Sequence, residues 1–204
     1  MPLSSVPLDA LTQLLDIGFG RAAADLSQLT GHRVQLDMPV VTIHAVAELS
    51  EALEGVVRTD VASVHQGFSG PITGDALLIF DQRSAATLKE LLTDEPALAL
   101  SIDESAREVL TEVGNILLNA CLGTFGNLLQ VPVSFSVPHL SLETVGDILE
   151  TLRVNRDGLQ HALVVHAGFK LRDAEVHGSL VIVLSVASLD RMLRAVEEWE
   201  QRNR

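Results

Sequence analysis

A single cysteine, Cys121, is all the sequence offers, so no internal disulfide can form. Set in an apolar stretch, it reads as a small buried hydrophobe rather than a nucleophile. Basic residues are scarce as well: 14 Lys and Arg stand against 27 Asp and Glu, a formal charge of −13, and they form no run. A nucleic-acid partner would want a basic patch, so none is expected. The same charge disfavours anionic membrane surfaces and favours solubility. The opening stretch MPLSSVPLDA has no basic segment followed by an apolar one, so no signal peptide is expected. No uninterrupted apolar run approaches the roughly 18 residues of a membrane span, and no insertion is expected. The expected home is the cytoplasm. Low-complexity segments are missing too. What is abundant is apolar character: 47% of 204 residues is hydrophobic, enough for one large domain or two small ones sharing a core.

Seven histidines are present, none in a compact ligand spacing such as His-Glu-x-x-His, so no metal site is expected. Gly18-Phe19-Gly20 lies inside a helical pattern with no strand before it, which argues against a nucleotide loop. No Gly-x-Ser-x-Gly elbow occurs.

The chain reads as one unit written twice. Residues 8–28 and 102–129 each carry apolar residues at helical spacing. A proline-containing strand follows each, around Pro39 and around Pro138, and then a short helix near 45–53 and near 142–152. The next strand holds a repeated signature, Val64-His65-Gln66-Gly67-Phe68 and Val165-His166-Ala167-Gly168-Phe169. Each half closes with an apolar strand (76–80; 180–184) and an amphipathic helix (84–92; 188–199). The offset is 99 from Pro39 to Pro138 and 101 from Phe68 to Phe169. The expectation is a single α+β domain, 1–204, with pseudo-twofold symmetry and repeats at about 5–93 and 100–200. Stretch 93–99 would link them. Short turns between strands predict a largely antiparallel sheet. Imperfect alternation suggests that one sheet face packs on helices. Pro39 and Pro138 should sit at strand edges or bulges, where no ladder donor is missed. His65 and His166, at equivalent strand positions, read as structural.

At about 100° per residue, Glu108, Glu112, Asn115 and Asn119 fall within an arc of roughly 60° on the second long helix, with Leu110, Val113, Leu117 and Cys121 opposite. Asparagine is a poor helix former because its side chain competes for nearby backbone groups. Two on one stripe therefore need a reason, and a solvated helix face is the plainest one. The first long helix repeats the stripe with Asp9, Gln13, Asp16 and Gly20, so the pattern belongs to the repeat unit. Gly114 lies off the stripe, which points to close packing against a neighbour.

These residues resemble the CheC/CheX/FliY phosphatases of bacterial and archaeal chemotaxis, and CheC most of all. The family motif is Asp or Ser, three residues, Glu, two residues, Asn, twenty-two residues, Pro. Here Glu112, Asn115 and Pro138 keep the spacing, and Glu108 stands where the family has Asp or Ser. In the first half the frame survives as Asp9, Gln13, Asp16 and Pro39, with both key identities changed. The resemblance implies an aspartyl-phosphate phosphatase acting on a CheY-like response regulator that carries its own Mg²⁺. Asn115 would position the attacking water and Glu112 would engage the regulator's active-site lysine. Glu108 would add to docking, and Pro138 would shape the strand beside the helix. No cofactor is expected in the chain, and a monomer is the default. With Asp16 facing a negative phosphoryl group and Gln13 unable to pair with a lysine, the first half should be inactive or much weaker. The rival expectation is a non-catalytic module that binds the regulator or a CheD-like deamidase, or that serves in the flagellar switch.

Overall fold

The second long helix begins where the sequence supplies a cap, and both long helices run as far as their apolar spacing lasts. The computed structural model describes residues 8–53, 60–93, 102–155, 159–171 and 174–203. The helix α1 spans Leu8–Thr30 and buries Leu11, Leu14, Leu15, Phe19, Ala22 and Leu26. It leads to β1 (Val34–Leu36), β2 (Val40–Ala45), a 3-10 turn at Val46–Glu48 and the short α2 (Leu49–Leu53). Next come β3 (Val61–Ser69), β4 (Gly74–Asp81) and α3 (Gln82–Thr93). The second half repeats the order with α4 (Glu104–Leu129), β5 (Ser134–Phe135), β6 (His139–Glu143) and α5 (Val145–Asn155). The chain then runs through β7 (Leu159–Leu171), β8 (Ala174–Ser185) and α6 (Val186–Asn203).

Local chemistry sets these boundaries. Asp103 caps α4 by accepting from the Ala106 N–H at 2.8 Å. That bond, helped by Lys89, holds the Asp103 carboxyl below its ordinary range. Gln130 ends α4 in the left-handed conformation, φ 57°. Thr144 and Asp147 cap α5 reciprocally, so 142–143 stay in β6 and the helix starts later than its hydrophobic pattern suggests. Both prolines fall in breaks, Pro39 between β1 and β2 and Pro138 between β5 and β6. The expected linker beyond Thr93 lies outside the described residues.

Every strand pairing is antiparallel, in the order β1-β7-β8-β4-β3-β5, with β2 also on β7 and β6 also on β3. Each half thus lends its first two strands to the hairpin of the other. The registers keep the sequence offsets: Phe68 faces Phe135 where Phe169 faces Leu36, and Ser63 faces Ser141 where Val164 faces Thr42.

Helices cover both faces of the sheet, not one. On one face α1, α3, α4 and α6 bury a core with Val64, Phe68, Leu78, Phe80, Val165 and Ile182. On the other, α2 and α5 cover Val61, Leu77, Ile79, Val164, Val181 and Val183. The central strands β4 and β8 are therefore nearly continuous apolar runs, which explains the imperfect alternation. Fully burying each such Val or Leu contributes about 1.5–3 kcal/mol.

Two glycines fix the placement of α4. A Cβ on Gly18 would lie 3.0 Å from the Cys121 Cα, where α1 crosses α4. A Cβ on Gly114 would lie 2.5 Å from Val64 Cγ1 and 2.7 Å from Val64 Cβ, so the helix rests directly on β3. Val64 is fully buried and cannot yield. Gly114→Ala should cost about 1–3 kcal/mol of overpacking, more than the helix-propensity gain of about 1 kcal/mol returns in most of that range. A lower denaturant midpoint with an unchanged slope would show it.

Candidate active site on α4

Glu108 and Glu112 project from the N-terminal half of α4 and are exposed, with no hydrogen-bond or ion-pair partner among the described residues. They rim a groove floored by Val109, Val113 and Leu92, with Leu29 and Thr30 of α1 on its far bank. One turn further along, Asn115 is half-buried, on the same side of the helix. The acid and the amide thus sit together on an outward face, and neither is sealed in the core.

Asn119 departs from the expected solvated stripe. It turns into the seam between α4 and β3, where its Nδ2 donates to Asn115 Oδ1 at 2.6 Å. Its own Oδ1 accepts from Gln66 Nε2 at 3.1 Å. Gln66, on β3 and 2% exposed, also donates to the Ser136 backbone carbonyl at 3.1 Å. Ser136 exchanges bonds with Gly67, two residues before Pro138. Pro138 is half-buried, and its segment is joined to the helix through this network. The sequence pattern did not point to Gln66 or Ser136. The available signal was Gln66 against Ala167 in the repeated signature.

On α1, Asp9, Gln13 and Asp16 are all exposed, while Pro39 is buried in the β1–β2 break. Gly18 is the crossing point with α4, not part of a loop.

The remaining candidates are structural. His65 Nε2 lies 2.6 Å from Glu143 Oε1 and 2.8 Å from Ser63 Oγ, and its ring stacks on His139. His166 bonds to Ser179 Oγ at 3.1 Å; burial, then the nearby His44, push its pKa below the ordinary value and so favour the neutral ring. Burial pushes the Cys121 thiol up, away from any nucleophilic role. Among the described residues no three His, Cys, Asp or Glu side chains group as metal ligands. A cavity between α4 and the sheet is lined only by apolar residues such as Phe68, Leu122, Phe125 and Met192, and offers no chemistry. Among the described residues α4 is the one helix that by length and hydropathy could pass for a membrane span, but 56% of that window is buried.

No protein-family model matches the chain. The CheY-P phosphatase CheC of Bacillus subtilis (strain 168) is 26% identical over 163 residues, 78% of this chain and 77% of that protein. A crystal structure of Thermotoga maritima FliY shares the fold with a TM-score of 0.78 at 16% identity, over 98% of this chain and 100% of that one. The FliM middle domain of Vibrio alginolyticus shares it with a TM-score of 0.66 at 10% identity, over 91% and 99%.

Proposed function

We propose, on the premise that this chain belongs to the CheC/CheX/FliY family of chemotaxis phosphatases, that it hydrolyses the phospho-aspartate of a CheY-like response regulator in the cytoplasm. The observation that carries this reading is the pairing of Glu112 with Asn115 on one outward face of α4. A substrate buried in another protein's pocket is reached by a protruding helix face, not by a cavity. An acyl phosphate is already activated, so catalysis asks mainly for positioning and charge compensation. Glu112, without a partner among the described residues, is available to pair with the regulator's lysine and set the register of docking. Glu108 adds negative charge beside it, and Asn115 then lies where the phosphoryl group arrives. Because Asn115 Oδ1 already accepts from Asn119, the amide meets the water mainly as a donor. A water accepting that N–H keeps a second lone pair for phosphorus. Fixing it in line draws on the roughly 7–11 kcal/mol available to ideal proximity. Mg²⁺ belongs to the regulator, and this chain acts as a monomer without a cofactor of its own.

A binding module without turnover is the second reading, favoured by the first half, where Gln13 and Asp16 replace both motif residues. Such a module could bind the regulator or a CheD-like deamidase, or serve in the flagellar switch. Decay of an acyl-phosphorylated CheY-like regulator, followed with and without the protein, separates the two. Wild type should accelerate decay, and a Gln13→Ala/Asp16→Ala double variant should retain the full rate. Unchanged decay with wild type would favour the binding module, and loss in the double variant would move the chemistry to α1.

A further inference from the structure

We infer that Gln66 and Asn119 are positioning residues that fix the sense of the Asn115 amide, so that its N–H₂ and not its carbonyl meets the substrate. This rests on the proposed phosphatase reading for its purpose, though not for its geometry. The direction of the network follows from one group that cannot turn round, the backbone carbonyl of Ser136. It can only accept, so Gln66 must present Nε2 to it, as it does at 3.1 Å. The other proton of Nε2 goes to Asn119, which must therefore present Oδ1, also at 3.1 Å. Asn119 is left with Nδ2 toward Asn115, which must accept through Oδ1 at 2.6 Å. Asn115 Nδ2 is then the end of the relay that faces outward, and it has no partner among the described residues. Turning any one amide over would set carbonyl against carbonyl or amino against amino.

The arrangement leaves Gln66 Oε1 buried without a hydrogen bond among the described residues. A buried, unpaired acceptor costs about 1–3 kcal/mol. Both amino protons of Gln66 are used, and they tie β3 to α4 and to the segment before Pro138.

The first half supplies an internal comparison. Asp37 N donates to the Gly168 carbonyl as Ser136 N donates to that of Gly67, so the same frame is built. At the three relay positions the α1 site has Gly20 for Asn119 and Asp16 for Asn115, with Ala167, on β7 of the other half, for Gln66. Where the amide at the motif is gone, both supports are gone with it.

The test uses Asn119→Asp, Gln66→Met and side-chain amide NMR of the intact chain. The carboxylate that Asn119→Asp introduces can still accept from Gln66, but toward Asn115 it can only accept as well. It therefore turns the Asn115 amide over while keeping both bonds. In wild type the Asn115 N–H₂ protons should exchange rapidly with water. In the Asn119→Asp variant one of them should be protected, at an unchanged melting temperature. Phosphorylated-regulator turnover should fall about 10²-fold in kcat, with KM unchanged, as for other lost donors. Gln66→Met adds no charge and should lower kcat in the same direction. In an Asn115→Ala background neither substitution should matter further, as expected when all three act through one group. Protected Asn115 amide protons in wild type would overturn the inference whatever the turnover. So would an inverted amide with full kcat. A wild type with no turnover would remove the proposed function, and the exchange rates alone would then decide the relay.

Discussion

Replacing Asn115 with alanine should lower single-turnover dephosphorylation of a saturating CheY-like regulator about 10²-fold, the usual loss for one positioned donor. Binding of the regulator should hardly change, because the amide acts on the reacting group and not on the contact surface. Stability should hold as well: Asn115 is half-buried, and its one side-chain bond among the described residues runs to a neighbour on the same helix. Asn115→Asp should be no better than alanine. It puts at the proposed site the residue type that Asp16 is in the first half, and a carboxylate there would repel negatively charged phosphoryl oxygens. A rate equal to wild type in either variant would remove Asn115 from the chemistry.

The second large effect is expected in binding. Glu112→Arg should weaken association with the regulator about 10²-fold, since setting like charges opposite each other across an interface costs several kcal/mol and each 1.4 kcal/mol is tenfold. Titration calorimetry with the regulator in its unphosphorylated and phosphorylated forms would measure it. Added salt should narrow the gap from wild type, because Glu112 is exposed and a pair it makes with the regulator would be screened. The variant should melt like wild type: an exposed residue without a partner among the described residues changes stability within about 0.5 kcal/mol. Unaltered affinity would mean that α4 does not dock through its acidic face. Kinetics then separate the two residues, Asn115 through kcat and Glu112 through KM.

The repeated order of elements was legible because Pro39 and Pro138, and the two Val-His-x-Gly-Phe signatures, are local marks at matching places in it. The strand pairings carry the same spacing into the sheet. The second helical layer was not legible. Strands buried on both faces lose the period of two, so β4 and β8 gave no hint of α2 and α5 on the far side. Glu112 and Asn115 could be placed on one helix face because helical periodicity depends only on sequence. Asn119 was placed on the right face but in the wrong environment, since a 100° step per residue does not say where a neighbouring strand closes over the helix. Gln66, 53 residues away from Asn119, becomes its partner only once β3 lies beneath α4.

The exchanged edge strands bind the fates of the two halves together. β1 and β2 complete the sheet only against β7, and β5 and β6 only against β3, so neither half possesses a finished sheet by itself. A chain that had ceased to need chemistry in its N-terminal portion could lose the reactive side chains there but could not shed the portion itself. A vestigial half would persist as the rigid brace of the working one.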